Sequence, residues 1–407
     1  MRDITRELDA KSIEIPDLID IFSAHLGSCS QSEEETTFYR TPEQSAVRMR
    51  HTNKGGLAAI ELLEHGTQRD VDILRRLIAE FRSDLQETEV ARRYVFTNIP
   101  LNHGLAFDGW FQFFPVPREA PQSDHMNARY PAIIEAAYSK PANGSIAMRR
   151  RIQALDEVEL FLNVLYRGGV HTQRSSLNEW GFPVGSSDAP SVPFNVVYSW
   201  PAMPSGDGAF SEIQAYEDFA IAPYEQYYAH LGGMFVDGKP VPSIGSDFGR
   251  LASIYRALDR ARQAQFLHAA YWFQYSGRVS SLSSSASYLA LVQSIESLIE
   301  PSSEQKRCPM CDHLPGAVKA FHETVEQYAA GLDKKWRDRI YRARSRIVHS
   351  GRRLRADTSF DMHPAGLTEQ SDQLGLSRLV RVILRNWLSE SEMFLVPDNL
   401  SDTVANG

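Results

Sequence analysis

Cysteine is scarce in this chain: Cys29, Cys308 and Cys311 are the only three in 407 residues. That excludes a disulfide scaffold and fits a reducing compartment. No stretch approaches the ~18 uninterrupted apolar residues of a membrane-crossing helix, so neither a membrane span nor a membrane partner is expected. Met1 to Asp9 alternates in charge and lacks the apolar run of a signal peptide. These absences together point to the cytoplasm. A net excess of positive charge is also missing, the formal total being −8. This would argue against a nucleic-acid partner only if the charge were evenly spread. Residues 241–407 carry 21 Lys and Arg against 18 Asp and Glu, a balance of +3, which leaves −11 to residues 1–240.

One stretch is nearly without acids. From Lys334 to Arg355 there are ten basic residues and a single acid, Asp338. A solvated helix face normally mixes signs, so enrichment in one sign points to a polyanion. Within this stretch Arg344 and His349 stand five residues apart, just before the helix-ending Gly351. Phosphodiester cleavage in RNA needs a group that moves protons near neutral pH, which suits His. It also needs a fixed cation for the charge that builds on the phosphate oxygens, which suits Arg. Arg and His at this spacing occur by chance in many helices; the basic surroundings favour the chemical reading. Arg342, Arg346, Arg352 and Arg353 would grip backbone phosphates without reading bases. Ser345 either positions water or a ribose hydroxyl or is simply solvated. Glu296, on an otherwise apolar segment, fits a partner for a buried Arg better than a catalytic base.

The run Ile340 to Gly351 resembles the signature of the HEPN superfamily, most closely its Apea-like branch. Upstream, Leu289 to Leu298, apolar with the single Glu296, resembles an earlier helix of those domains. The resemblance covers residues 247–396 and implies an all-helical bundle. Active members of that family cut RNA, often as toxins or anti-phage effectors, with the motif in the cleft of a dimer. Others are inactive and serve as dimerisation or nucleotide-binding modules. The toxin branch that pairs with a nucleotidyltransferase carries a Tyr two residues after the His. Gly351 stands there in this chain, so that branch's regulation is not carried over. Helix geometry leads to a dimer independently: five residues put His349 about 140° around the axis from Arg344 and ~7.5 Å along it. Two copies facing each other across a twofold axis would bring an Arg and a His together.

The expected fold class is α+β, with a mixed or β-rich domain over 1–240, a helical domain over 247–396 and a flexible tail over 397–407. The boundary is expected within Val236 to Asp247, dense in Gly, Pro and Ser. Apolar spacing predicts five C-terminal helices: Phe248 to Tyr275, Ser283 to Leu298, Gly316 to Ala330, one ending at Gly351, and Gly375 to Phe394. In the first half, Val71, Leu74, Ile78, Phe81 and Leu85 predict a helix. Arg93 to Ile99, Leu105 to Phe114, Val158 to Tyr166 and Phe194 to Trp200 read as strands, and residues 28–56 as a flexible segment or exposed loop. The analogy with Apea-like proteins gives this half a sensing or restraining role. Cys308-Pro-Met-Cys311 has half the spacing of a tetrahedral zinc site, with His313 and His322 as partners; the alternative is two ordinary thiols. Catalysis itself requires no cofactor. The expected function is a metal-independent endoribonuclease acting on RNA as a homodimer. The alternative is a non-catalytic HEPN module that dimerises and binds RNA or a nucleotide.

Overall fold

Local chemistry sets several element ends. Thr67 and Asp70 form a reciprocal capping box, each side chain bonding the other's backbone N–H, and start α3 (Gln68–Asp84). Ser283 accepts from Ala286 N to start α7 (Ser284–Glu296). Asp333 accepts from the backbone N–H of Lys335 and Trp336 to start α9 (Lys334–Ser350). Gly351, at φ +61°, closes α9 in the left-handed conformation that glycine adopts without a Cβ penalty.

A computed structural model describes residues 1–52, 56–85, 87–99, 104–107, 109–115, 130–171, 244–299, 316–358 and 364–391. It also describes residue 101 and the pairs 221–222, 235–236 and 239–240. The fold is α+β, and the chain forms two compact units. Among the described residues the first holds Met1–Arg92 and Glu135–Leu155. The second holds the described parts of Arg93–Ile134, those from Asp156 to 171, and the C-terminal helices. The second unit therefore contains more of the chain than the helical segment 247–396.

The first unit is built on a five-stranded antiparallel sheet from β1 (Arg2–Asp3), β2 (Cys29–Gln31), β3 (Glu35–Thr41), β4 (Gln44–His51) and β5 (Leu57–Leu62), in the order β1-β5-β4-β3-β2. Helices α1 (Thr5–Leu8), α2 (Ile15–Leu26) and α3 cover it. Phe22, Phe38, Val47, Met49, Ile60, Leu74 and Ile78 form its core. Residues 28–56, expected as a flexible segment or exposed loop, thus supply three strands. Their polar composition misleads because only a few side chains are buried, Thr36, Phe38, Val47 and Met49 on one face and Thr37 and Ala46 besides. The charges pair across the strands, as Arg48 does with Glu35 at 3.3 Å.

Strands β6 (Thr88–Thr97) and β9 (Tyr130–Ser139) and helix α4 (Gly144–Leu165) each run from one unit into the other. In the second unit β7 (Leu105–Phe107) and β8 (Phe111–Pro115) form a hairpin, where one strand was expected. Val158 to Tyr166 is not a strand: its residues end α4, whose Val158, Phe161, Leu162 and Leu165 are buried. A short, densely apolar run fits either period, and the preceding turns of helix decide it. Trp110 stacks on Tyr255 at 5.2 Å and meets Phe161 edge-on at 4.9 Å, centring an aromatic core. The expected strand Phe194 to Trp200 and the tail 397–407 lie outside the described residues.

The first C-terminal helix is two, α5 (Phe248–Ala257) and α6 (Arg260–Val279). Asp259 breaks the run by capping α6, accepting from Arg262 N at 2.9 Å. Then follow α7, α8 (Ala317–Tyr328), α9 and α10 (Pro364–Glu390). The last begins well before Gly375, expected as its start. Gly375 is instead interior, where a β-carbon would lie 3.0 Å from Trp336 Cζ2 of α9. Leu379, Val380, Ile383, Leu384 and Leu388 are buried, and Val382 is partly buried. Among the described residues no helix is long and apolar enough to cross a membrane.

Candidate functional site

Helix α9 carries the candidate residues, and its neighbours hold it on several sides. Ile340 and Ala343 are buried, and Tyr341 packs against Phe321 of α8 at 5.1 Å. Asp372 of α10 accepts from Trp336 Nε1 at 3.0 Å and from Arg339 through both Nε and Nη2 at 2.7 Å. Arg337 pairs with Glu326 of α8. The Tyr288 hydroxyl of α7 donates to Ile340 O at 3.4 Å.

Arg344 donates from Nη2 to Glu296 Oε2 at 3.1 Å, and its guanidinium lies 5.7 Å from the Tyr341 ring centre. Both partners are mostly buried, 22% and 16% exposed. Glu296 is therefore the partner of Arg344, which agrees with its reading as an arginine's counter-ion. His349 lies on the last turn, exposed, and makes no hydrogen bond or ion pair among the described residues. Beside it Val348 is 49% exposed, a large apolar side chain on the surface. Ser345 and Ile347 are partly buried. Arg344 and His349 thus share a helix without sharing partners.

The basic stretch is less uniform than its sequence. Arg337, Arg339 and Arg344 are neutralised by Glu326, Asp372 and Glu296 from other helices. Lys334, Lys335, Arg342, Arg346, Arg352, Arg353 and Arg355 make no ion pair among the described residues. All seven are exposed. A polyanion would meet these seven.

Asp357 was not singled out in the sequence, yet it fixes the segment after His349. Its carboxylate accepts from Ser283 Oγ at 2.9 Å, Ser284 N at 2.5 Å and Ser285 N at 2.9 Å, at the N-terminus of α7. Leu354 N in turn donates to Ser285 Oγ at 2.7 Å. Burial pushes the Asp357 carboxyl up, but hydrogen bonds from Ser285, Ser283 and Ser284 outweigh it and hold the group below the ordinary Asp value. Because the folded value is depressed, the stabilisation is present above the unfolded value near ~4 and is lost as pH falls through the folded one. Asp357→Asn should cost about 1 kcal/mol, the net worth of a hydrogen bond, because an amide keeps one acceptor oxygen for the three donors. The gap in melting temperature between wild type and variant should close in acid; a gap independent of pH would remove this role.

Cys308, Cys311 and His313 lie outside the described residues. His322, the fourth expected zinc partner, sits on α8 with Nε2 3.3 Å from Asp338 Oδ1 and its ring beside Tyr341. Among the described residues no three His, Cys, Asp or Glu side chains form a group fit to hold a metal.

Compared with known proteins, the chain matches no family model, no curated protein and no solved structure.

Proposed function

We propose that the C-terminal helices form a HEPN-type endoribonuclease that works as a cytoplasmic homodimer and needs no metal. The observation that carries this reading is the pairing on one helix of a braced Arg344 with an exposed, uncommitted His349. His349 takes the proton from a ribose 2′-hydroxyl, and the 2′-oxygen attacks phosphorus. Arg344 offsets the charge on the pentavalent phosphorane. The bond from phosphorus to the 5′-oxygen breaks, and that oxygen receives a proton from imidazolium. The products are a 2′,3′-cyclic phosphate and a 5′-hydroxyl. In this reading Ser345, one residue after Arg344, positions water or the ribose. Incubation of the purified protein with total RNA in EDTA tests the reading: cleavage ending in cyclic phosphate is expected.

The non-catalytic alternative has an observation in its favour. Arg344 is already neutralised by Glu296, and a paired guanidinium has less charge to offer a phosphorane. A protein that binds RNA in EDTA but leaves it uncut would decide for that module.

The unpaired arginines give a second test. Arg342→Ala and Arg346→Ala should each weaken RNA binding across sequences and reduce the salt slope by about one, because each removes one phosphate contact and its released counterion. An unchanged slope would mean that this face does not touch RNA.

A further inference from the structure

A second polar site lies within the same unit, on β6, α4 and α6. Arg93 Nη1 bonds Asp156 Oδ1 at 2.5 Å and Glu159 Oε2 at 3.1 Å. Glu159, 4% exposed in its side chain, also accepts at Oε1 from Gln274 Nε2 at 2.7 Å and Arg278 Nη2 at 2.9 Å. Glu159 is thereby fully engaged. Arg93 is not: its side chain is 8% exposed, and Nη2 is buried without an acceptor. Buried donors are rarely left so, and this one belongs to a side chain that lines a cavity.

The cavity is there. Arg93, Asp156, Glu159, Tyr271, Gln274 and Arg278 line a space of about 150 Å³. This is well below the ~300–1,000 Å³ of a pocket for a drug-sized ligand, so it suits one flat ring with the rest of the molecule outside. Tyr271 is 45% exposed and stacked on Tyr275 at 6.1 Å and 18°, a flat aromatic surface at the cavity wall. Asp156 is 48% exposed and keeps an oxygen with no partner among the described residues; Arg278 is 42% exposed and spends one nitrogen on Glu159.

We infer that this cavity is a nucleobase site selective for guanine. The wall offers an aromatic face, an outward carboxylate and guanidinium donors. An aromatic face stacks any base. A carboxylate selects an edge with two adjacent N–H donors, and among the RNA bases guanine presents these at N1 and N2 with a carbonyl oxygen beside them. Arginine is the donor that suits the guanine O6 and N7 acceptors. Adenine opposes an acceptor to the carboxylate, and cytosine brings a single exocyclic donor. The wall's two carboxylates and two guanidinium groups cancel in formal charge, so the site reads the base and not a phosphate. This inference stands whether or not the protein cuts RNA.

The test is calorimetric titration of the full-length protein with GMP, guanosine, AMP, CMP and inorganic phosphate. GMP and guanosine should bind alike and at least ~10-fold tighter than AMP or CMP, with no binding of phosphate. Tyr271→Ala, on the surface, should weaken GMP about 10-fold or more. Asp156→Asn should weaken GMP and strengthen xanthosine monophosphate, whose edge offers one donor and one acceptor and so matches an amide. Failure of both GMP and guanosine to bind at millimolar concentration would overturn the assignment. So would equal binding of all nucleotides, phosphate binding as well as GMP, or GMP binding unaltered in both variants.

Discussion

His349→Ala is expected to lose at least ~100-fold of RNA cleavage in EDTA, the range typical of a removed general acid–base group, while melting like the wild type. The side chain is exposed and makes no bond among the described residues, so its loss disturbs only chemistry. Arg344→Ala should fall as far in activity but also lose about 1 kcal/mol of stability, because Glu296 is left mostly buried without its partner. The two variants therefore separate in a melting experiment while agreeing in a cleavage assay. Full activity in His349→Ala would sink the proposed chemistry. Equal melting of both variants would mean that the Arg344–Glu296 pair contributes nothing to the fold.

Ile347→Glu is the other substitution with a large expected effect: a folded monomer with at least ~100-fold less nuclease activity. The proposed site needs a second chain because Arg344 and His349 point about 140° apart on their helix. Ile347 is partly buried and Val348 is 49% exposed, so apolar surface lies beside His349 at the place where a twin helix would pack. A twofold interface presents the same patch twice, and one new carboxylate becomes two facing charges. Seven unpaired cations on and after the helix also repel their copies, so dimerisation should strengthen as salt rises and screens them. Sedimentation and activity over one dilution series check both points. Undiminished specific activity in a demonstrably monomeric sample would exclude a composite site.

What could be read along the chain depended on how far each signal reaches. Ser283 and Gly351 act within a turn or so of themselves, and the helix ends they predict are where the structure has them. Asp259 carried a signal of the same range, and the continuous apolar pattern around it hid the break it makes between α5 and α6. Residues 28–56 were misleading for a different reason. Strands that pair their charges across a sheet look like loop until the partner strand is known.

The sequence alone determined the α+β class, the helix that carries Arg344 and His349, the concentration of cations around them and the absence of a long apolar segment. Each is a property of neighbours in the chain, set by periodicity, capping and local charge. Tertiary structure alone decided which of those cations are spent: Glu296, Glu326 and Asp372 reach Arg344, Arg337 and Arg339 from helices 11 to 48 residues away. It decided that Val158 to Leu165 finishes a helix, that Gly375 makes room for Trp336, and that Asp357 ties down the segment following His349. It also brought Arg93, Glu159 and Arg278 around one cavity from positions up to 185 residues apart. No local pattern encodes such meetings. They depend on burial, where a charge or donor must find its partner wherever in the chain that partner lies.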